Sequence, residues 1–146
     1  MGDIAAVKAA IKGGEDVNAR DDSEFKCTAL HYATEGDHKK IAELLVKAGA
    51  DVNIETNAQY TALHLAALNN CDDTGKLLID SGANLDPYSN DGCTPLHFAI
   101  MYHSLEMTRL LIESGADLNA LTKSDGDHEV CTPLELAKHN TQEQGS

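Results

Sequence analysis

The chain has little aromatic character and little positive charge. Its 146 residues include no tryptophan, 2 phenylalanines and 4 tyrosines, so aromatics supply only 4%. Ala, Leu, Ile and Val must therefore fill a core. Lys and Arg number 11 against 24 Asp and Glu, giving a formal charge of 11 − 24 = −13. Phosphate and anionic lipid repel such a chain, which argues against nucleic acid and membrane as partners. The same charge permits a basic protein partner. No apolar run approaches the roughly 18–20 residues that a membrane span needs. Residues 1–12 lack the basic start and long apolar stretch of a secretory signal. The motifs G-x-x-x-x-G-K-[ST], G-x-G-x-x-G and G-x-S-x-G are missing. Phosphate-cradling loops and a nucleophile elbow are thereby excluded. The length suits one domain with a sizeable core.

What the chain does have is a repeat. Thr28-Ala29-Leu30-His31 returns as Thr61-Ala62-Leu63-His64 and as Thr94-Pro95-Leu96-His97, each 33 residues on. A fourth version, Thr132-Pro133-Leu134-Glu135, follows after 38 residues and lacks the histidine. A second block accompanies the first. Gly49-Ala50-Asp51-Val52-Asn53 matches Gly82-Ala83-Asn84-Leu85-Asp86 and Gly115-Ala116-Asp117-Leu118-Asn119, with Gly14-Glu15-Asp16-Val17-Asn18 near the start. The last connection thus carries a five-residue insertion, placed in the loop 121–129, and the first connection carries two extra residues.

Periodicity predicts a pair of short helices per repeat. Leu30 and Ala33 are spaced i, i+3, and Ile41, Leu44 and Leu45 are spaced i, i+3, i+4. Thr28 can cap the first helix, while Pro95 and Pro133 stand where a missing N–H costs nothing. Gly49, Gly82 and Gly115 follow the last apolar residue, as left-handed helix stops do. A single pair is too small to bury its own face, so stacking must do it. Thr-Pro-Leu-His-x-Ala at a period of 33 resembles the ankyrin repeat. That resemblance implies an all-α solenoid of helix–turn–helix units joined by hairpin-like fingers. Full repeats are assigned to 28–60, 61–93 and 94–131. Residues 1–27 read as an N-terminal half-repeat with its connection, and 132–146 as a C-terminal half-repeat. Within 71–81, Asp73, Thr74 and Gly75 replace apolar residues, which predicts a soft second helix there. Gln59 stands where the next finger has Gly92, which predicts a different turn.

Catalytic and metal chemistry finds little support. His31, His64 and His97 occupy one place in successive repeats. Packed helices lie about 8–10 Å apart, too far for a shared ion that needs ligands about 2.0–2.1 Å from one centre. The resemblance instead implies that this histidine braces the loop by hydrogen bonding. Cys27, Cys93 and Cys131 fall at equivalent positions. A separation of about 10 Å exceeds the roughly 7 Å a disulfide tolerates, so free thiols and a reducing compartment are expected. Asp125, Asp127 and Glu129 lack the full calcium-loop pattern. No cofactor, metal or catalytic residue is assigned.

A binding surface remains. The resemblance implies that partners meet the finger tips and first helices of the concave face. The matching positions are Asn57, Ala58 and Tyr60, then Asn90, Asp91 and Cys93 in the fingers. At the ends of the first helices they are Glu35, then Leu68 and Asn69, then Met101 and Tyr102. Leu68, Met101 and Tyr102 also exceed what one helix face can bury, and Tyr and Met are enriched at interfaces. Tyr88 is a weaker candidate. Glu24, Glu35, Asp37, Glu55, Asp91 and Asp125 predict a negative rim that attracts a basic partner. The resemblance also implies Asn53 as a candidate for asparaginyl hydroxylation, given Leu45 eight residues before it. The expected function is a monomeric, cytoplasmic or nuclear protein-interaction module acting as scaffold, adaptor or inhibitor. The alternative is a repeat segment that targets an enzyme or channel domain lying outside this chain.

Overall fold

A computed structural model describes residues 3–123 and 130–143. Among them are eight α-helices and no strands: α1 (Ile4–Lys12), α2 (Ala29–Glu35), α3 (Lys39–Lys47), α4 (Ala62–Asn69), α5 (Asp72–Asp80), α6 (Pro95–Met101), α7 (Leu105–Glu113) and α8 (Pro133–Glu143). None of these helices is long and apolar enough to cross a membrane. The helices form two layers. An inner layer stacks α2 on α4, α4 on α6 and α6 on α8. An outer layer stacks α1 on α3, α3 on α5 and α5 on α7. This is the solenoid that the repeat period predicts.

The inner helices begin where the repeated threonines stand. Thr28, Thr61 and Thr94 are N-caps, and each forms a reciprocal box with the histidine three residues on. The backbone N–H of each threonine donates to the histidine Nδ1 at 3.0, 3.1 and 3.0 Å. A backbone N–H can only donate, so Nδ1 is the acceptor and the ring proton of the neutral imidazole sits on Nε2. The fourth version keeps the box by other means. Thr132 N–H donates to Glu135 Oε2 at 2.7 Å, so glutamate substitutes for the ring.

Packing follows the spacing. Leu30, Leu63 and Leu96 are at most 2% exposed, each covered by the following inner helix. Ile41 and Leu45 of α3 and Met107 and Leu111 of α7 are buried in the outer layer's inward face. In α5, Thr74 takes the core position of Ile41 and Met107, Gly75 takes that of Ala42, and both are buried. Thr74 Oγ1 donates to Asp37 Oδ1 at 2.8 Å. A Cβ on Gly75 would lie 2.3 Å from Met107 Sδ, so the glycine makes room for the buried thioether of α7. The missing side chains of α5 are thus filled from its neighbour.

The fingers share one turn, contrary to the expectation for Gln59. Thr56 N–H donates to Tyr60 O at 2.9 Å, as Ser89 N–H does to Cys93 O at 2.9 Å. Gln59 (φ 60°) adopts the left-handed conformation of Gly92 (φ 73°), and Lys26 (φ 54°) does so one repeat earlier. The closing bond of the finger fixes this backbone whatever residue stands there. Only at Gly92 would a Cβ also meet backbone, 2.0 Å from Lys123 O. The same closing bond spans the insertion, from Thr122 N–H to Cys131 O at 2.9 Å. Asp125, Asp127 and Glu129 lie outside the described residues.

Neighbouring turns are stitched by side chains. Asn18, Asn53 and Asp86 each accept, through Oδ1, the N–H of the corresponding turn one repeat on, Asp51, Asn84 and Asp117, at 2.8, 2.8 and 2.9 Å. Asn53, the hydroxylation candidate, is half-buried and committed to this ladder.

Candidate functional site

The expected surface residues divide into three groups. The first belongs to finger-to-finger bonding. Asn57 donates from its backbone to Phe25 O at 2.8 Å and from Nδ2 to Glu24 O at 2.8 Å. Asn90 donates from its backbone to Ala58 O at 3.0 Å and from Nδ2 to Asn57 O at 3.4 Å. These amides hold the fingers in a row, although both residues stay exposed.

The second group turns inward. Cys93, expected to be open to a partner, is only 8% exposed, so its thiol is withdrawn from the surface. Its carbonyl accepts His64 Nε2–H at 3.1 Å, and closing the finger draws the residue into the core. Leu68 and Met101 are half-buried and pack against the core cluster, so their apolar area serves stacking first. Cys71 is buried as well, and no disulfide forms among the four cysteines.

The third group forms one cluster. The Tyr60 hydroxyl donates to Asp91 Oδ2. The Tyr60 ring stacks on Phe98 with centroids 5.6 Å apart, and Phe98 lies 6.2 Å from Tyr102. The His64 ring meets both Tyr60 and Phe98 edge-on at 5.8 Å. Phe98 is the buried floor of this ladder, while Tyr102 is 55% exposed. Glu35 and Asn69 are exposed at the C-terminal ends of α2 and α4. Phe98 was missing from the expected set. The signal available was its position four residues before Tyr102, one helical turn away. Tyr32 was also missed. It occupies the place of Phe98 two repeats earlier (98 − 32 = 66 = 2 × 33) and donates to Asp21. Tyr88, the weaker candidate, spans to the next finger through its hydroxyl on Leu121 O at 3.0 Å.

Electrostatics place these groups in unreactive states. Burial pushes the His64 imidazole down to about 4 and lowers His31 and His97 too, so all three are neutral at pH 7. His31 Nε2–H reaches Ile54 O at 2.9 Å. His97 faces the carbonyls of Ala120 and Cys131 without reaching hydrogen-bond geometry. Those two carbonyls are 131 − 120 = 11 residues apart, against 93 − 87 = 6 for the pair around His64. Burial raises the Cys71 thiol to about 11 and raises Cys27 and Cys93, the opposite of an activated nucleophile. Burial and the Asp91 charge raise the Tyr60 phenol. Among the described residues no group of three His, Cys, Asp or Glu is placed to hold a metal ion. A 430 Å³ cleft between α5 and α7 is lined by exposed ion pairs, Lys76–Asp80 and Arg109–Glu113 among them.

A family model for ankyrin repeats, in three copies, matches residues 1–89, 49–122 and 74–143. No curated protein matches the chain. Ankyrin repeats are in general protein–protein interaction modules and are typically non-enzymatic. The repeated caps, the two helix layers and the stitched fingers agree with that match, and the chain belongs to the ankyrin repeat family.

Proposed function

We propose that this chain is a non-enzymatic module that binds a protein partner along its fingers and the C-terminal ends of its inner helices, as scaffold, adaptor or inhibitor. The observation that carries this reading is the ring ladder Tyr60–Phe98–Tyr102. It rises from a buried floor to a tyrosine more than half exposed, beside the Asp91 carboxylate. A rigid aromatic side chain presented this way offers contact area at low entropic cost. The inner helices α2, α4 and α6 carry Glu35 and no lysine or arginine, which favours a basic partner. No disulfide joins the four cysteines, two of which are buried, and this suits a reducing cytoplasmic or nuclear setting.

The test is affinity capture with three baits, read by mass spectrometry. One is the parent chain. The second carries Asn69→Ala and Tyr102→Ala on the inner-helix face. The third carries Lys76→Ala and Arg109→Ala on the outer helices. The reading expects a protein retained by the first and third baits and lost from the second. Retention by the second bait and loss from the third would overturn it.

A further inference from the structure

Asp91 and Asp21 each accept a tyrosine hydroxyl but differ in what they leave free. Asp21 accepts from Ser23 N–H, Ser23 Oγ, Cys27 N–H and the Tyr32 hydroxyl, and so is saturated. Asp91 accepts only the Tyr60 hydroxyl, at Oδ2, and Oδ1 has no partner among the described residues. The Tyr60 hydroxyl holds Asp91, and Phe98 joins the Tyr60 ring to the Tyr102 ring, so the carboxylate and the exposed ring border one aromatic cluster. Fingers 54–60 and 87–93, which flank this locality, contain Glu55 and Asp91 and no lysine or arginine. An exposed tyrosine ring and an unsaturated carboxylate are the two parts a planar guanidinium uses. Lys123, which meets the 87–93 finger through Gly92 O, holds its Nζ 4.2 Å from the Tyr88 ring centroid.

We propose that Tyr102, Tyr60 and Asp91 form a seat for an arginine side chain of the partner protein. The guanidinium lies against the Tyr102 ring and donates to Asp91 Oδ1, while the Tyr60 hydroxyl holds the carboxylate in place. Phe98 fixes the two rings from below. The seat rests on the binding-module reading and names the chemistry that this surface selects.

The experiment is titration of the isotopically labelled chain with hexa-arginine, hexalysine and hexaglutamate peptides at physiological salt, followed by amide NMR. Hexa-arginine is expected to move the amides of 54–60, 89–93 and 98–102. It should bind more tightly than hexalysine, because a planar guanidinium can lie flat on the ring while its N–H groups donate to the carboxylate. Asp91→Asn keeps an acceptor for Tyr60 and removes the charge, and should weaken binding about 5–10-fold. Tyr102→Ala should weaken it about 3–5-fold and Tyr102→Phe should retain it. Asp80→Asn removes the same unit of charge from the exposed face of α5 and should change affinity by less than about twofold. Equal losses for Asp80→Asn and Asp91→Asn would overturn the seat in favour of net charge. Equal affinity for hexalysine, or no shift with hexa-arginine, would also overturn it. Shifts confined to the inner face but insensitive to Asp91→Asn and Tyr102→Ala would overturn the seat and leave the module reading standing. Shifts on α3, α5 and α7 alone would overturn both.

Discussion

His64 ties three parts of the molecule together. Its Nδ1 closes the α4 cap, its Nε2–H holds the Cys93 carbonyl, and its ring edge supports Tyr60 and Phe98. Burial lowers its folded pKa to about 4 from an ordinary 6.5, so protonation favours the unfolded chain. The stability it contributes is complete above pH 6.5 and is lost as pH falls toward 4. Between pH 7 and pH 5 this one ring should cost about 2 kcal/mol. Urea unfolding at the two pH values should therefore show a steeper loss for the parent chain than for His64→Asn. Equal slopes would mean that the ring stays solvated in the folded state. The finger position gives a second contrast. Gln59 and Gly92 share a left-handed backbone, which costs a non-glycine residue roughly 1–2 kcal/mol. Gln59→Gly should raise stability by up to about 1 kcal/mol, less than that strain because glycine also loses more entropy on folding. Gly92→Ala should destabilise by more than about 2 kcal/mol, since its Cβ meets Lys123 O at 2.0 Å. Thermal melts of the two variants should move in opposite directions. The repeat alignment made Gln59 and Gly92 equivalent, but it could not tell that backbone approaches only the second.

Helix α5 shows where element-level reading stops. Asp73, Thr74 and Gly75 break the apolar pattern, and a glycine within a helix costs roughly 1 kcal/mol against alanine. Read along one helix, that predicts softness. The structure packs the Met107 thioether into the space over Gly75 and bonds Thr74 to Asp37 across the layer, so the broken pattern is completed by α7 and by the α2–α3 turn. Gly75→Ala should therefore fail to deliver the propensity gain of about 1 kcal/mol. It should lower the urea midpoint, because Met107 is fully buried and has little room to yield. A gain near the full propensity value would show that the thioether repacks freely. The helix caps were legible because a Thr-x-x-His box is local, with all its atoms within four residues. The replacement of a side chain by one 32 positions later (107 − 75) is not local, and no pattern along α5 carries it.

Across the whole molecule, each repeat is stabilised by the next. Leu63 and Leu134 occupy the same register, yet Leu63 is fully buried and Leu134 is 62% exposed. No described helix lies beyond α8 to cover the latter. Leu63→Ala should cost about 2–5 kcal/mol. Leu134→Ala should stay within about 1 kcal/mol. Chemical denaturation of the two variants checks the difference, and similar losses would mean that nearest-neighbour stacking does not govern this chain. The sequence by itself determined the period, the helix starts and the left-handed stops, because short-range capping and i, i+3 spacing write those into consecutive residues; the stacked helix-pair architecture followed from the resemblance to the ankyrin repeat. It also located the exposed ends of the inner helices. Tertiary structure alone decided which of those residues form a surface. Cys93 turned inward, Asn57 and Asn90 joined the finger ladder, Leu68 and Met101 served the core, and Phe98 linked Tyr60 to Tyr102 from below. Most of those outcomes depend on contacts between residues about 30 or more positions apart, set by how one repeat seats on the next.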